Sequence, residues 1–332
     1  MSDTEFDDMV DGSSRKEDTF LALDIGGTSV TCGLVSRSGE ILMTDSFPTA
    51  QGPSPAAMTE IMADKLKDIW TKADRHRRPK ALGIGAPGWI KPTEGIVVMA
   101  PNIPGWREVP ITRIMSEAMD LPAILENDAN LYALGEWLAG AGKGHDNEIT
   151  LTLGTGVGGG LILNGHLWSG SFTSAAEVGH IPLNPWSGAI CGCGRKGCLE
   201  TVTSAKGMTR LGLEWLASGR ETLYKGPPEE LNPAVMQKLA LKKDPMSLSV
   251  FKEAGEALGL ALAAIFNLLS LEVAVIGGGA AGAFDFIINH LLATLGEHLV
   301  TAQINEIQVV KGLLGVNAPL VGAAALLEAA GY

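Results

Sequence analysis

The chain alternates between short apolar runs and longer segments whose apolar residues recur at helical spacing. Thr19 to Val35 reads as two strands around a glycine turn, Asp24-Ile25-Gly26-Gly27-Thr28, and Glu40 to Phe47 reads as a third strand. From Met58 to Ala73 the apolar positions (Met58, Ile61, Met62, Leu66, Ile69 and Trp70) keep intervals that predict an amphipathic helix. Ala81 to Ala86 is the next strand, running into Pro87-Gly88. Ala123 to Leu125 is another, and a helix is expected over about 127–138. A second block opens near Glu148 with a strand at Ile149 to Leu153, a glycine loop over Gly154 to Gly160 and a returning strand at Gly160 to Leu163. Helices over about 204–216 and 248–269 follow. A buried strand, Val273 to Ile276, then runs into Gly277-Gly278-Gly279. Strand, glycine turn and strand thus open both blocks, with helices after them. That order predicts an α/β protein of two similar lobes facing a cleft. Ligands of such sheets bind beyond the strand ends, where these glycine turns fall.

Composition narrows the function. The 332 residues are 46% apolar and 19% charged, enough for two globular domains. A net charge of −12 argues against nucleic acid or an anionic membrane as partner. It leaves room for a phosphorylated ligand, which backbone amides and a metal ion can hold. Met1 to Asp18 is acidic and polar, with no apolar run for a secretory signal, and is expected to be a disordered tail. The uncharged run Ala257 to Leu271, at 15 residues, falls short of the ~20 that a bilayer needs. A cytoplasmic location is the expectation. Lys72, Arg75, Arg77, Arg78 and Lys80 read as a solvated helix end.

Cys191, Cys193 and Cys198 crowd together, and a C-x-C spacing joins poorly to itself as a disulfide. Metal binding is the better reading, with a reactive thiol pair as the alternative. Cys32, alone in an apolar strand, reads as a packing residue.

Taken singly, each glycine turn fits either a phosphate cradle or a tight hairpin. No G-x-x-x-x-G-K-[ST] loop is present. Gly154-Thr155-Gly156-Val157-Gly158-Gly159 spells a dinucleotide fingerprint, but a strand rather than a helix is expected after it. Order separates the readings. Leu23 to Thr28 resembles the first phosphate motif of the actin-like sugar kinases, Leu153-Gly154-Thr155-Gly156 the second, and Val275 to Gly279 the adenosine motif. Within that superfamily the chain is similar to the ROK family (repressors, open reading frames, kinases) over about residues 19–330. The likeness rests on Ala86-Pro87-Gly88, Pro101 to Trp106, Glu126 to Asn130, Glu177-Val178-Gly179-His180 and Cys191 to Glu200.

The resemblance implies two actin-like (ribonuclease H-like) α/β lobes in a hexokinase architecture. The first would cover 19–126, completed by a C-terminal helix at about 317–332. The second would cover 127–316 and carry the zinc loop. The implied reaction is ATP- and magnesium-dependent phosphorylation of a hexose at its 6-hydroxyl, with glucose first. N-acetylmannosamine, N-acetylglucosamine and fructose are alternatives. By the same resemblance Asp128 accepts the hydroxyl proton, although a residue there also fits a helix N-cap near Asn127. Asp24 would assist the magnesium–phosphate end. Gly26, Gly27, Thr28, Gly154, Thr155, Gly156 and Gly158 would line the phosphates, and Gly277, Gly278 and Gly279 the adenosine. Asn102, Asn127, Asp128, Glu177, His180 and Glu200 would face the sugar. His180, Cys191, Cys193 and Cys198 would hold a structural zinc, and a homodimer is the expected assembly.

Two departures stand out. Thr173 and Ala176 occupy positions before Glu177 where the family pattern has glycine, which bears on the identity of the sugar. A sugar-sensing regulator of the same fold is disfavoured, since only 18 residues precede Thr19 and such regulators carry a helix-turn-helix there. Polyphosphate is the less expected donor, because relatives with that donor generally lack the cysteine cluster.

Overall fold

A computed structural model describes residues 18–74, 78–300 and 306–332. The expected disordered tail, Met1 to Asp18, therefore lies outside the described residues save for Asp18. So do Arg75 and Arg77 of the basic cluster.

The first block contains β1 (Thr19–Ile25), β2 (Ser29–Ser36), β3 (Ile41–Pro48), α1 (Pro55–Asp74) and β4 (Leu82–Ala86). It continues through β5 (Trp89–Lys91), β6 (Ile96–Met99), β7 (Arg107–Val109), α2 (Ile111–Met119), β8 (Ala123–Asn127) and α3 (Asp128–Ala139). The second contains β9 (Glu148–Leu153), β10 (Val157–Leu163), β11 (His166–Leu167), α4 (Glu200–Thr203), α5 (Ala205–Ala217) and α6 (Pro233–Ala240). It ends with α7 (Pro245–Leu269), β12 (Val273–Gly277), α8 (Phe284–His298), β13 (Gln308–Lys311) and α9 (Ala318–Ala329).

Two five-stranded sheets result, ordered β3-β2-β1-β4-β8 and β11-β10-β9-β12-β13. In each sheet the strand second in chain order runs antiparallel to its neighbours, and the last two in chain order (β4 and β8, β12 and β13) join in parallel. The same topology occurs twice, as expected of two ribonuclease H-like lobes. Every residue of β4 and β12 is buried, as parallel strands covered on both faces require. β3 sits at an edge and alternates towards solvent.

Two expectations change. The predicted loop Gly154 to Gly160 is only a three-residue turn, because β10 already begins at Val157. The strand's glycines serve close packing. A Cβ on Gly158 would stand 2.9 Å from that of Ala129, and one on Gly160 2.5 Å from that of Ala133, both on α3. A Cβ on Gly159, facing the other way, would stand 2.5 Å from the Ala176 carbonyl oxygen. The second change is an unpredicted three-stranded sheet, β5-β6-β7, inserted before α2. Its strands are too short to display a period of two.

Helix α9 packs on β1, β2 and β4 and crosses α3. The crossing is built on glycine: a Cβ on Gly135 would overlap the Ala318 carbonyl, and one on Gly322 the Leu131 carbonyl. Helix propensity alone favours alanine over glycine by about 1 kcal/mol. Because the obstacle is backbone, Gly322→Ala should instead destabilise the protein by about 1–3 kcal/mol, the usual cost of overpacking. Urea unfolding of the two proteins measures this, and a variant as stable as wild type would refute so tight a crossing. Among the described residues no helix is long and apolar enough to cross a membrane.

Candidate active site

The site is a circuit of turns at the ends of the central strands of both sheets. β1 ends in Asp24-Ile25 and returns as β2 through Gly26-Gly27-Thr28. The Gly26 N–H donates to the Ser29 carbonyl at 2.9 Å, and the buried Thr49 hydroxyl donates to the Gly26 carbonyl at 2.7 Å. A Cβ on Gly27 would lie 3.0 Å from that of Asn102, so the β6–β7 loop reaches the first glycine turn.

Asp24 and Asp128 face each other electrostatically. Burial pushes the Asp24 carboxyl up to about 7, and the Asp128 charge adds to the rise. Asp128 is the first residue of α3, but the cap belongs to Asn127. The Asn127 Oδ1 accepts from the amides of Ala129 at 2.9 Å and Asn130 at 3.3 Å. Asp128 Oδ1 also accepts from the Ala129 amide, at 2.9 Å. Burial raises the Asp128 carboxyl above the usual range; the Ala129 amide opposes this, and the Glu177 charge adds to it. Buried Glu126 steadies the strand-to-helix turn by accepting from the Asn127 amide at 2.7 Å and Asn130 Nδ2 at 2.9 Å.

Glu177 starts a short 3₁₀ turn, Val178–His180, which brings its Oε2 within 4.0 Å of His180 Nε2. The other His180 nitrogen, Nδ1, lies 3.9 Å from Glu200 Oε1. A Cβ on Gly156 would stand 2.8 Å from Glu200 Oε2, so the second glycine turn abuts this acidic wall. The Gly154 carbonyl accepts from the Ala205 amide at 2.8 Å, tying that turn to the start of α5. Gly278, at φ 84°, lies against the Leu153 backbone, so the third turn touches the second. The second and third turns and the acidic wall are therefore contiguous, and the first turn is linked to them through Asp24, whose carboxyl feels the Asp128 charge. Gly158 is set apart from them, paired with Thr152 inside the sheet.

The sequence-level departures have a backbone signature. Thr173 and Ala176 adopt left-handed conformations, at φ 54° and 59°. The loop keeps a geometry that glycine favours while carrying side chains there, which strains it, most of all at β-branched Thr173.

The cysteine loop folds as a knuckle. The ligand atoms of His180, Cys191, Cys193 and Cys198 all lie within 4.8 Å of one another. Cys193 and Cys198 sulfurs are 3.8 Å apart, and Cys191 Sγ is 3.6 Å from His180 Nδ1. Tetrahedral zinc–sulfur bonds of about 2.3 Å give edges of roughly this length. Gly194, at φ 85°, makes the turn between the cysteines, and the Cys193 amide donates to Cys191 Sγ at 3.4 Å. Cluster and chemistry are compatible with a structural metal.

Two side chains that the motifs do not single out also touch the turns: Thr49, noted above, and Tyr132. The Gly278 amide donates to Tyr132 Oη at 3.3 Å. Neither has a local sequence signal, because each meets its partner only through the fold.

Comparison with known proteins identifies the family. The family model for the ROK family matches residues 20–330. The chain is 33% identical to a glucokinase of Thermotoga maritima, over 93% of this chain and 96% of that one. It is 37% identical to a glucokinase of Halalkalibacterium halodurans, over 81% and 82% of the two chains. A crystal structure of a ROK family glucokinase from Streptomyces griseus, in complex with glucose and AMPPNP, superposes with a TM-score of 0.77 at 32% identity, covering 93% of this chain and 98% of that one. Likeness of this extent, in sequence and in the doubled sheet alike, makes the chain a member of the ROK family.

Proposed function

We propose that the chain is an ATP-dependent glucokinase in which Asp128 takes the proton of the 6-hydroxyl as its oxygen attacks the γ-phosphorus and ADP leaves. What supports this reading is that buried Asp128 is coupled by charge both to Asp24, at the end of β1, and to Glu177 of the acidic wall that Glu177, His180 and Glu200 form. Little covalent chemistry is asked of a phosphoryl-transfer enzyme beyond alignment, charge neutralisation and a proton acceptor. The amides of Gly26, Gly27, Thr28, Gly154, Thr155 and Gly156 would line the phosphates, Gly277 to Gly279 the adenosine, and Asp24 would bear on the accompanying magnesium. Gly158 would act indirectly, by letting α3 and Asp128 approach β10.

Asn102, Asn127, Glu177, His180 and Glu200 would pair the sugar hydroxyls, which must find acceptors or donors when buried. Asn127 is engaged at its Oδ1 as a helix cap, so its amide nitrogen is the group that would serve the sugar. His180, Cys191, Cys193 and Cys198 would hold zinc with four protein ligands, no open position and hence no direct chemistry. Its contribution would be to fix the wall that carries Glu177 and Glu200.

An assay with ATP across a panel of hexoses tests the substrate. Glucose should give the highest kcat/KM among unmodified hexoses. An N-acetylated hexosamine that outperforms it tenfold would mean that the strained loop of Thr173 and Ala176 has reshaped the pocket, and the glucose assignment would fail.

A further inference from the structure

We propose that Tyr132 is a positioning residue that holds the Gly277–Gly278 turn against α3 and thereby sets nucleotide affinity. The inference rests on the reading of that turn as part of the nucleotide site.

Asp128, Tyr132 and Glu136 recur at four-residue intervals, so they share one face of α3. Each meets a different part of the circuit or its support. Asp128 acts through its charge on Asp24 and feels that of Glu177. Tyr132 is buried, and the Gly278 amide donates to its Oη at 3.3 Å. Its ring lies flush against Gly277: a Cβ there would stand 2.5 Å from Tyr132 Cε1 and Oη, and 2.6 Å from Cζ. Glu136, wholly buried, accepts from the amides of Leu313 at 3.0 Å and Leu314 at 2.9 Å, just before α9. The Gly312 amide in turn donates to the Ile276 carbonyl at 3.0 Å. The exit of β12 is therefore gripped from two sides by one helix.

A rigid helix with the proton acceptor at its first residue and the nucleotide turn bonded one turn later fixes the distance between the two. Gly277 has no side chain where the phenol ring lies, and Gly278 needs its positive φ to present the amide. Ring and turn are matched in shape and in hydrogen bonding. A residue that only filled core volume would not need the hydroxyl. The hydroxyl's loss should be felt at the nucleotide and not at the sugar.

The test measures dissociation constants of a non-hydrolysable ATP analogue and of glucose by calorimetry, for wild type, Tyr132→Phe, Gly277→Ala and Tyr132→Ala/Gly277→Ala. Tyr132→Phe keeps the ring and removes the acceptor. It should weaken the analogue by between about twofold and tenfold, the range a single neutral hydrogen bond carries, with glucose affinity changed less than twofold. Gly277→Ala should weaken the analogue more, and removal of the ring in the double variant should restore part of that loss. Analogue affinity within twofold of wild type in Tyr132→Phe, or nucleotide and glucose affinities falling together, overturns the inference while leaving the nucleotide site intact. A double variant that binds no better than Gly277→Ala overturns it too. If the wild-type chain binds no analogue, the nucleotide reading itself fails and takes the inference with it.

Discussion

Asp128→Asn is expected to lower kcat by at least about 10²-fold while leaving sugar affinity nearly unchanged, since a positioned general base contributes roughly 10²–10⁴-fold. The substitution is nearly isosteric, and the local structure tolerates it. Asn127 carries the N-cap of α3, and an amide oxygen at position 128 can still accept from the Ala129 amide. A fall in rate can therefore not be charged to loss of the helix end. What disappears is a carboxylate able to take a proton. Burial raises the Asp128 carboxyl, so wild-type activity should decline as pH falls through a value above the ordinary carboxylate range, the base being lost by protonation. Kinetics with calorimetry separates the roles. A variant that retains more than about a tenth of wild-type kcat lies well short of the ~10²-fold loss expected, and would move the base elsewhere.

The second large effect concerns the metal. Protein purified without chelators should hold one zinc per chain, and Cys193→Ser should lose it. Cys191 and Cys198 are buried, whereas Cys193 is exposed, so replacing Cys193 removes a ligand without opening a cavity. Its thiol is also the metal-ready one, pulled down to about 7 chiefly by the Arg195 amide. Loss of a four-ligand site releases the loop from Cys191 to Cys198 and, with it, His180 and Glu200, which lie 3.9 Å apart. Thermal stability should drop, and glucose affinity should weaken at least tenfold with a smaller change for the nucleotide. Metal analysis, a melting curve and calorimetry read all three. Wild-type protein free of zinc, or a variant that binds glucose as wild type does, would rule out this role for the cluster.

Much of this was legible in the sequence because it is local. The strands at 19–25 and 273–277 announce themselves through the apolar runs Phe20 to Leu23 and Val273 to Ile276, and their glycine turns follow closely. The spacing of Glu177 and His180 implies a shared turn, and the 3₁₀ turn is there. Three thiols within eight residues need only a short loop to converge, so metal binding could be anticipated from spacing, while His180 joined them through the motif resemblance.

Other features were decided by contacts between distant residues. The glycines of β10 look like a loop when read along the chain. They are strand, because α3 on one side and the Ala176–Val178 segment on the other leave no room for a Cβ. Asn127 rather than Asp128 caps α3, a choice set by where the preceding strand points the backbone. The strain at Thr173 and Ala176 could be suspected from their identity, but only the φ angles show it. Tyr132 meets Gly278 across 146 residues of sequence, and Glu136 meets Leu314 across 178. Periodicity reports which face of a helix is buried, not what it is buried against. The sequence by itself determined the principal strands and helices, the doubled order and the chemistry-bearing motifs, since hydrophobic period and backbone freedom act over a few residues. The tertiary structure alone decided which turns touch, which carboxylates shift one another and which helix ties the circuit together, since those depend on long-range packing.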